Sequence, residues 1–201
     1  MTQDLIASAE LLINRPGSEP TQADLNRAAS TLYYALFHEI SKTCADLFMG
    51  SIQEDYRRAW QQVYRALAHE NTKTRCRDLE IMRKFPESIQ EFATQFVTLQ
   101  ELRHQCDYDP LSKTPKTTVE TELGNVRDVT QRFSATNELD LRAFCSFVLF
   151  PKREDPLRKR AEEEREQERA RALRAEQEAR GPAVRAERAA RRASQNAQES
   201  S

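Results

Sequence analysis

At 201 residues the chain has room for one packed domain with an appendage. With 31% charged residues and only 4 glycines, it excludes a turn-rich β fold and favours helices. The net charge of −1 hides a split: 14 Lys/Arg and 11 Asp/Glu lie beyond residue 150, leaving 17 against 21 in the body, and neither part has the strong basic field of a duplex-DNA binder.

Leu5 to Ile13 reads as a short amphipathic helix stopped by Arg15-Pro16-Gly17. Thr21 is a good N-cap, and Asp24 three residues on suits the positive end of the helix that follows. That helix carries Leu25, Ala29, Leu32, Leu36, Ile40 and Leu47 at three- and four-residue spacings. Tyr33, Tyr34 and Phe37 widen the stripe to two faces, as in a helix packed between partners, and Gly50 fits its end. A second long helix is expected from about Ile52 to Leu67, burying Tyr56, Ala59/Trp60, Val63 and Leu67. Asn71 onward looks irregular until Leu79, Met82 and Phe85 form a short helical patch. Pro86 then opens a helix striped by Ile89, Phe92/Ala93, Phe96, Leu99 and Leu102. After Asp109-Pro110 and Pro115, a helix from Thr117 buries Val119, Leu123, Val126, Val129 and Phe133. Asn137 caps a last one running from Leu139 to Phe150.

The fold class is therefore all-α: an up-and-down bundle of four to five core helices over residues 20–150. It is preceded by an N-terminal helix and linker (1–19) and followed by a charged Arg/Glu/Ala-rich tail (151–201). Pairs such as Glu162 with Arg165 and Glu168 with Arg171 suit an exposed helix, which Gly181-Pro182 breaks. With almost no large apolar residue, the tail reads as helical or disordered and too polar to bury a core.

Cys44, Cys76, Cys106 and Cys145 are widely spaced, with no C-x-x-C pair, so they read as reduced, buried thiols rather than a zinc site. No metal or other cofactor is expected. The N-terminus lacks a signal-like pattern and no stretch approaches a membrane span, so a cytoplasmic protein is expected.

Two places interrupt the apolar stripes with polar chemistry. Arg27, Tyr34 and His38 lie seven and four residues apart near one helix face. They suit a phosphate or a stacked base, or else a core tyrosine and a half-buried histidine. In Arg103-His104-Gln105-Cys106-Asp107-Tyr108, Arg103 can grip a phosphate, Asp107 can orient it, and Tyr108 can donate or stack. The same residues also fit a local Arg103–Asp107 ion pair at a helix end. Arg65 and His69 put a cation and an imidazole on one face more weakly.

Leu25-Asn26-Arg27-Ala28-Ala29-Ser30-Thr31-Leu32-Tyr33-Tyr34-Ala35-Leu36-Phe37-His38 resembles a helix of small bacterial HEPN (higher eukaryotes and prokaryotes nucleotide-binding) proteins. Arg103 to Pro110 is similar to the same subgroup's arginine-then-ADYDP signature, and Phe144 to Phe150 resembles its last helix. The resemblance spans roughly residues 20 to 150. It implies a helical bundle, a homodimer, and RNA or nucleotide binding, with metal-independent ribonuclease activity of the toxin–antitoxin or defence type in many members. It casts Arg103, Tyr108 and His38 as the catalytic group, with Arg27, Tyr34, His104 and Asp107 at the RNA or nucleotide. The family's motif has a histidine four to six residues after the arginine; here Tyr108 stands in its place. A phenol with pKa near ~10 is a poor general base at neutral pH. The alternative is a non-enzymatic dimerising scaffold whose tail docks a partner protein.

Overall fold

The helix that organises the molecule is set by its two ends. Thr21 Oγ1 accepts the Asp24 backbone N–H at 3.2 Å, and Asp24 Oδ2 accepts the Thr21 N–H at 2.9 Å, a reciprocal capping box. At the other end Gly50 takes φ +75°, a left-handed conformation that favours glycine, and donates its N–H to the Asp46 carbonyl at 2.8 Å. In the computed structural model, which describes residues 1–150, 160 and 164–172, every regular element is helical and the described residues contain no strand.

In chain order the helices are α1 (Thr2–Ile13), α2 (Gln22–Met49), α3 (Arg57–Tyr64), α4 (His69–Cys76), α5 (Leu79–Met82), α6 (Glu87–Tyr108), α7 (Lys116–Ser134) and α8 (Glu138–Leu149). A single 3-10 turn, Glu54–Tyr56, precedes α3. Pairings between helices give their directions. The start of α2 meets the end of α6, where Ser30 binds Asp107. The start of α6 meets the end of α7, where Phe92 stacks on Phe133 at 4.0 Å. Arg15, just past the end of α1, pairs with Asp24 at the start of α2. Thus α1, α2, α6 and α7 run alternately up and down, with α4 and α8 packed against them. The shared core draws Ile13 from α1, Leu32 and Leu36 from α2, Phe92 and Phe96 from α6, Phe133 from α7 and Phe144 from α8.

Helix α1 contributes Ile6, Ala9 and Ile13 to that core, so the compact unit runs from Met1 to Pro151 rather than beginning at residue 20. The long second helix expected over 52–67 is instead the 3-10 turn and the eight-residue α3, in which no residue is buried. Helix α3 packs chiefly on the side of α2, and Tyr56 remains exposed. The stretch from Asn71, expected to be irregular, lies in α4, which buries Thr72 and Cys76. Asn137 caps α8 as expected, its Oδ1 accepting the Leu139 N–H at 2.8 Å.

All four cysteines are free and buried. No described helix is long and apolar enough to cross a membrane. The second unit, Lys152–Ser201, is described only at residue 160 and over 164–172, which are helical and exposed. Glu162, Gly181-Pro182 and the expected disordered end lie outside the described residues.

Candidate functional site

Because an α-helix turns about 100° per residue, Arg103 and Asp107 share one face of α6 while His104 and Tyr108 share another. The first face turns onto α2. Asp107 Oδ2 accepts Arg103 Nε at 2.9 Å, and its Oδ1 accepts the hydroxyl of buried Ser30 at 2.8 Å. Asp107 is thereby fastened to both helices. Two further contacts hold the helix end: Asn26 Nδ2 donates to the Cys106 carbonyl at 3.4 Å, and Gln22 Nε2 to that of Thr114 at 3.3 Å.

Clamped in this way, the Arg103 guanidinium lies over two α2 rings, 5.5 Å from the centre of Tyr33 and 5.3 Å from that of Tyr34. Partial burial works against its charge, but the Tyr34 and Asp107 side chains outweigh this and raise its pKa further. Only Nε is engaged. The two terminal nitrogens have no hydrogen-bond partner among the described residues, and neither is sealed from solvent without one. Such a fork can grip two oxygens of a phosphate.

The Tyr33 ring beneath the guanidinium also meets an imidazole, His69, which the sequence marks only weakly. His69 opens α4; its Nδ1 is 2.5 Å from the Tyr33 hydroxyl and its ring centre 3.9 Å from that of Phe37. Burial lowers the His69 pKa, and the charges of Arg103 and His38 lower it further. Burial also keeps the Tyr33 phenol protonated by raising its pKa. The Tyr33 hydroxyl and His69 Nδ1 therefore share one hydrogen bond, which engages one of the two ring nitrogens. Arg65 and His69 lie on different elements, because α3 ends at Tyr64 and α4 begins at His69.

The remaining residues singled out in the sequence are spread more widely. Arg27 is exposed on α2 and, among the described residues, forms no ion pair. Tyr34 is half-buried beneath Arg103. His38 lies 6.3 Å from Tyr34 between ring centres, and its Nδ1 is hydrogen-bonded to the Tyr64 hydroxyl at 2.5 Å. Burial lowers the His38 pKa. His104 and Tyr108 pair with each other at 4.8 Å on the outer face, and Tyr108 is 66% exposed. The structure thus brings Arg103, Asp107 and Tyr34 together, leaves His38 further along α2, and turns Tyr108 and His104 away. Among the described residues no group of three His, Cys, Asp or Glu side chains is arranged to hold a metal ion.

Fold and site together define an all-α helical bundle carrying a carboxylate-clamped arginine on an aromatic helix face. Comparison with protein-family models, with curated proteins and with solved structures found no match.

Proposed function

We propose that the protein binds RNA or a nucleotide in the manner of a HEPN domain, with Arg103 as the phosphate contact. The observation that carries this reading is the state of Arg103: held at Nε by Asp107, backed by Tyr33 and Tyr34, and with both terminal nitrogens open. A preset fork of this kind loses little freedom on meeting a phosphate. Arg27, exposed two turns before Tyr34 on α2, adds a second cation near a passing backbone.

The chemistry favours binding over cleavage. An acid–base ribonuclease needs an imidazole lone pair at the ribose hydroxyl. In His69 and His38 one ring nitrogen, Nδ1, is already hydrogen-bonded to a tyrosine hydroxyl, of Tyr33 and Tyr64 respectively. Tyr108, where the family motif has its histidine, faces outward with His104. A homodimer belongs to the same proposal, whereas docking of a protein partner by the tail belongs to the alternative, a non-enzymatic scaffold. Exposed Tyr108 and Leu111, 66% and 86% accessible beside the site, favour a contact surface there.

Incubating the full chain with end-labelled single-stranded RNA, with and without EDTA, tests the reading. The expected result is a retarded complex of intact RNA that Arg103→Ala loses while its far-UV circular dichroism is unchanged. RNA that stays free, or a complex indifferent to Arg103→Ala, overturns it.

A further inference from the structure

A cavity of about 430 Å³ lies between α2 and α3, outside the Arg103 cluster. It falls within the roughly 300–1,000 Å³ span of small-molecule sites. Three of its eight lining residues are rings that stack on one another, Trp60 on Tyr64 at 5.1 Å and 22° and Tyr64 on His38 at 5.8 Å and 18°, and Met1 and Thr2 close it from the start of the chain. The indole is fixed by its Nε1–H, which donates to Asp46 Oδ1 at 2.9 Å. Arg65 supplies a cation to the lining, the Lys42 ammonium there is paired with Asp46, and Gln61 supplies an amide.

A mainly apolar wall with an aromatic column, a cation and an amide suits a nucleobase on an anionic strand. An acidic peptide would use the cation but not the rings. The cavity is also joined to the clamped arginine by neighbouring rings. Arg103 lies over Tyr34, Tyr34 adjoins His38 at 6.3 Å, and His38 stacks on Tyr64.

We propose that this cavity takes a base of single-stranded RNA, seated against the Trp60–Tyr64 ring column with its edge toward Gln61, while Arg103 holds a phosphate of the same strand. The proposal rests on the RNA-binding reading given above. It makes the bound form unpaired, because a base inside a duplex cannot enter a side cavity without leaving its stack.

Trp60 is the chain's single tryptophan, so its fluorescence reports on this cavity alone. The full chain is titrated with a short single-stranded RNA and with its abasic counterpart. Trp60 emission and the anisotropy of a terminal label are read in parallel. The expected result is binding of both strands by anisotropy, with Trp60 quenched only by the strand that carries bases. Tyr64→Ala should weaken the base-containing strand by about tenfold, within the range for loss of one stacked base. It should leave the abasic strand unaffected, while Tyr64→Phe, which keeps the plane, should bind like the wild type. Binding without Trp60 quenching, or equal quenching by both strands, overturns the base site and leaves the phosphate role of Arg103 standing. Failure of both strands to bind overturns the two readings together. Binding indifferent to Arg103→Ala but with base-dependent quenching supports the cavity and removes the phosphate role.

Discussion

Replacing Asp107 should loosen the joint between α2 and α6. Its carboxylate accepts from Arg103 Nε at 2.9 Å and from Ser30 Oγ at 2.8 Å. The Arg103–Asp107 pair is only partly exposed, with side-chain accessibilities of 21% and 32%. Fully exposed pairs four residues apart contribute about 0.3–0.5 kcal/mol, and hydrogen bonds to charged groups about 1.5–3 kcal/mol. The intermediate exposure places the Arg103 link near ~1 kcal/mol. The Ser30 link joins two helices through a buried hydroxyl and adds ~1 kcal/mol. Asp107→Ala should therefore cost about 2 kcal/mol, or about 4–8 °C in Tm for a domain of this size. Asp107→Asn keeps an acceptor for Ser30 and should lose about half as much. A double-mutant cycle with Arg103→Ala, followed by denaturant unfolding, should give a coupling of ~1 kcal/mol. Strict additivity, or an Asp107→Ala protein that melts with the wild type, would refute the clamp.

Phe133→Ala should cost about 3–5 kcal/mol, because Phe133 is fully buried, stacks on Phe92 and meets Phe144 edge-on at 5.9 Å; a urea midpoint near the wild-type value would count against the core assignment. Thr21→Ala removes half of the capping box and should cost about 1 kcal/mol by the same measurement; no change would mean that the cap is dispensable. Burial holds the His69 and His38 imidazoles below their ordinary pKa, so the unfolded chain binds protons that the folded chain refuses. Their share of stability is complete above the unfolded value near ~6.5 and declines as pH falls through the lower folded values. The urea midpoint should drop between about pH 7.5 and about pH 5, and His69→Gln should lessen that drop; equal drops in the two proteins would exclude His69 as a source.

What could be read from the chain was whatever depends on near neighbours. Thr21, Asp24 and Gly50 bound α2 through contacts three or four residues away, and its apolar spacing matches the buried face. The Arg103–Asp107 pair is likewise a four-residue relation. The orientation of Tyr108 follows from the same geometry, since five residues carry it about 140° from Arg103. The short patch at Leu79 and Met82 is helical as expected, but residues 52–76 depart from the expectation because α3 and α4 are too short for a periodic signal to separate them, and α4 buries Thr72 and Cys76 rather than large apolar side chains. His69 was undervalued for a related reason. Its partner Tyr33 is 36 residues away, and only the packing of α4 brings them together. The aromatic cavity arises in the same manner, from α3 settling on α2.

The central claim is that Arg103 presents an open, preset fork to a phosphate. Anisotropy titration of labelled single-stranded RNA against wild type, Arg103→Ala, Arg103→Lys and Tyr108→Ala tests it most directly. Loss of a charged hydrogen bond worth about 1.5–3 kcal/mol should weaken binding by roughly 10- to 150-fold in Arg103→Ala. Arg103→Lys should recover only part of that loss, because lysine lacks the fork, and Tyr108→Ala should bind as wild type does. Affinity undiminished in Arg103→Ala, or lost instead in Tyr108→Ala, would contradict the account.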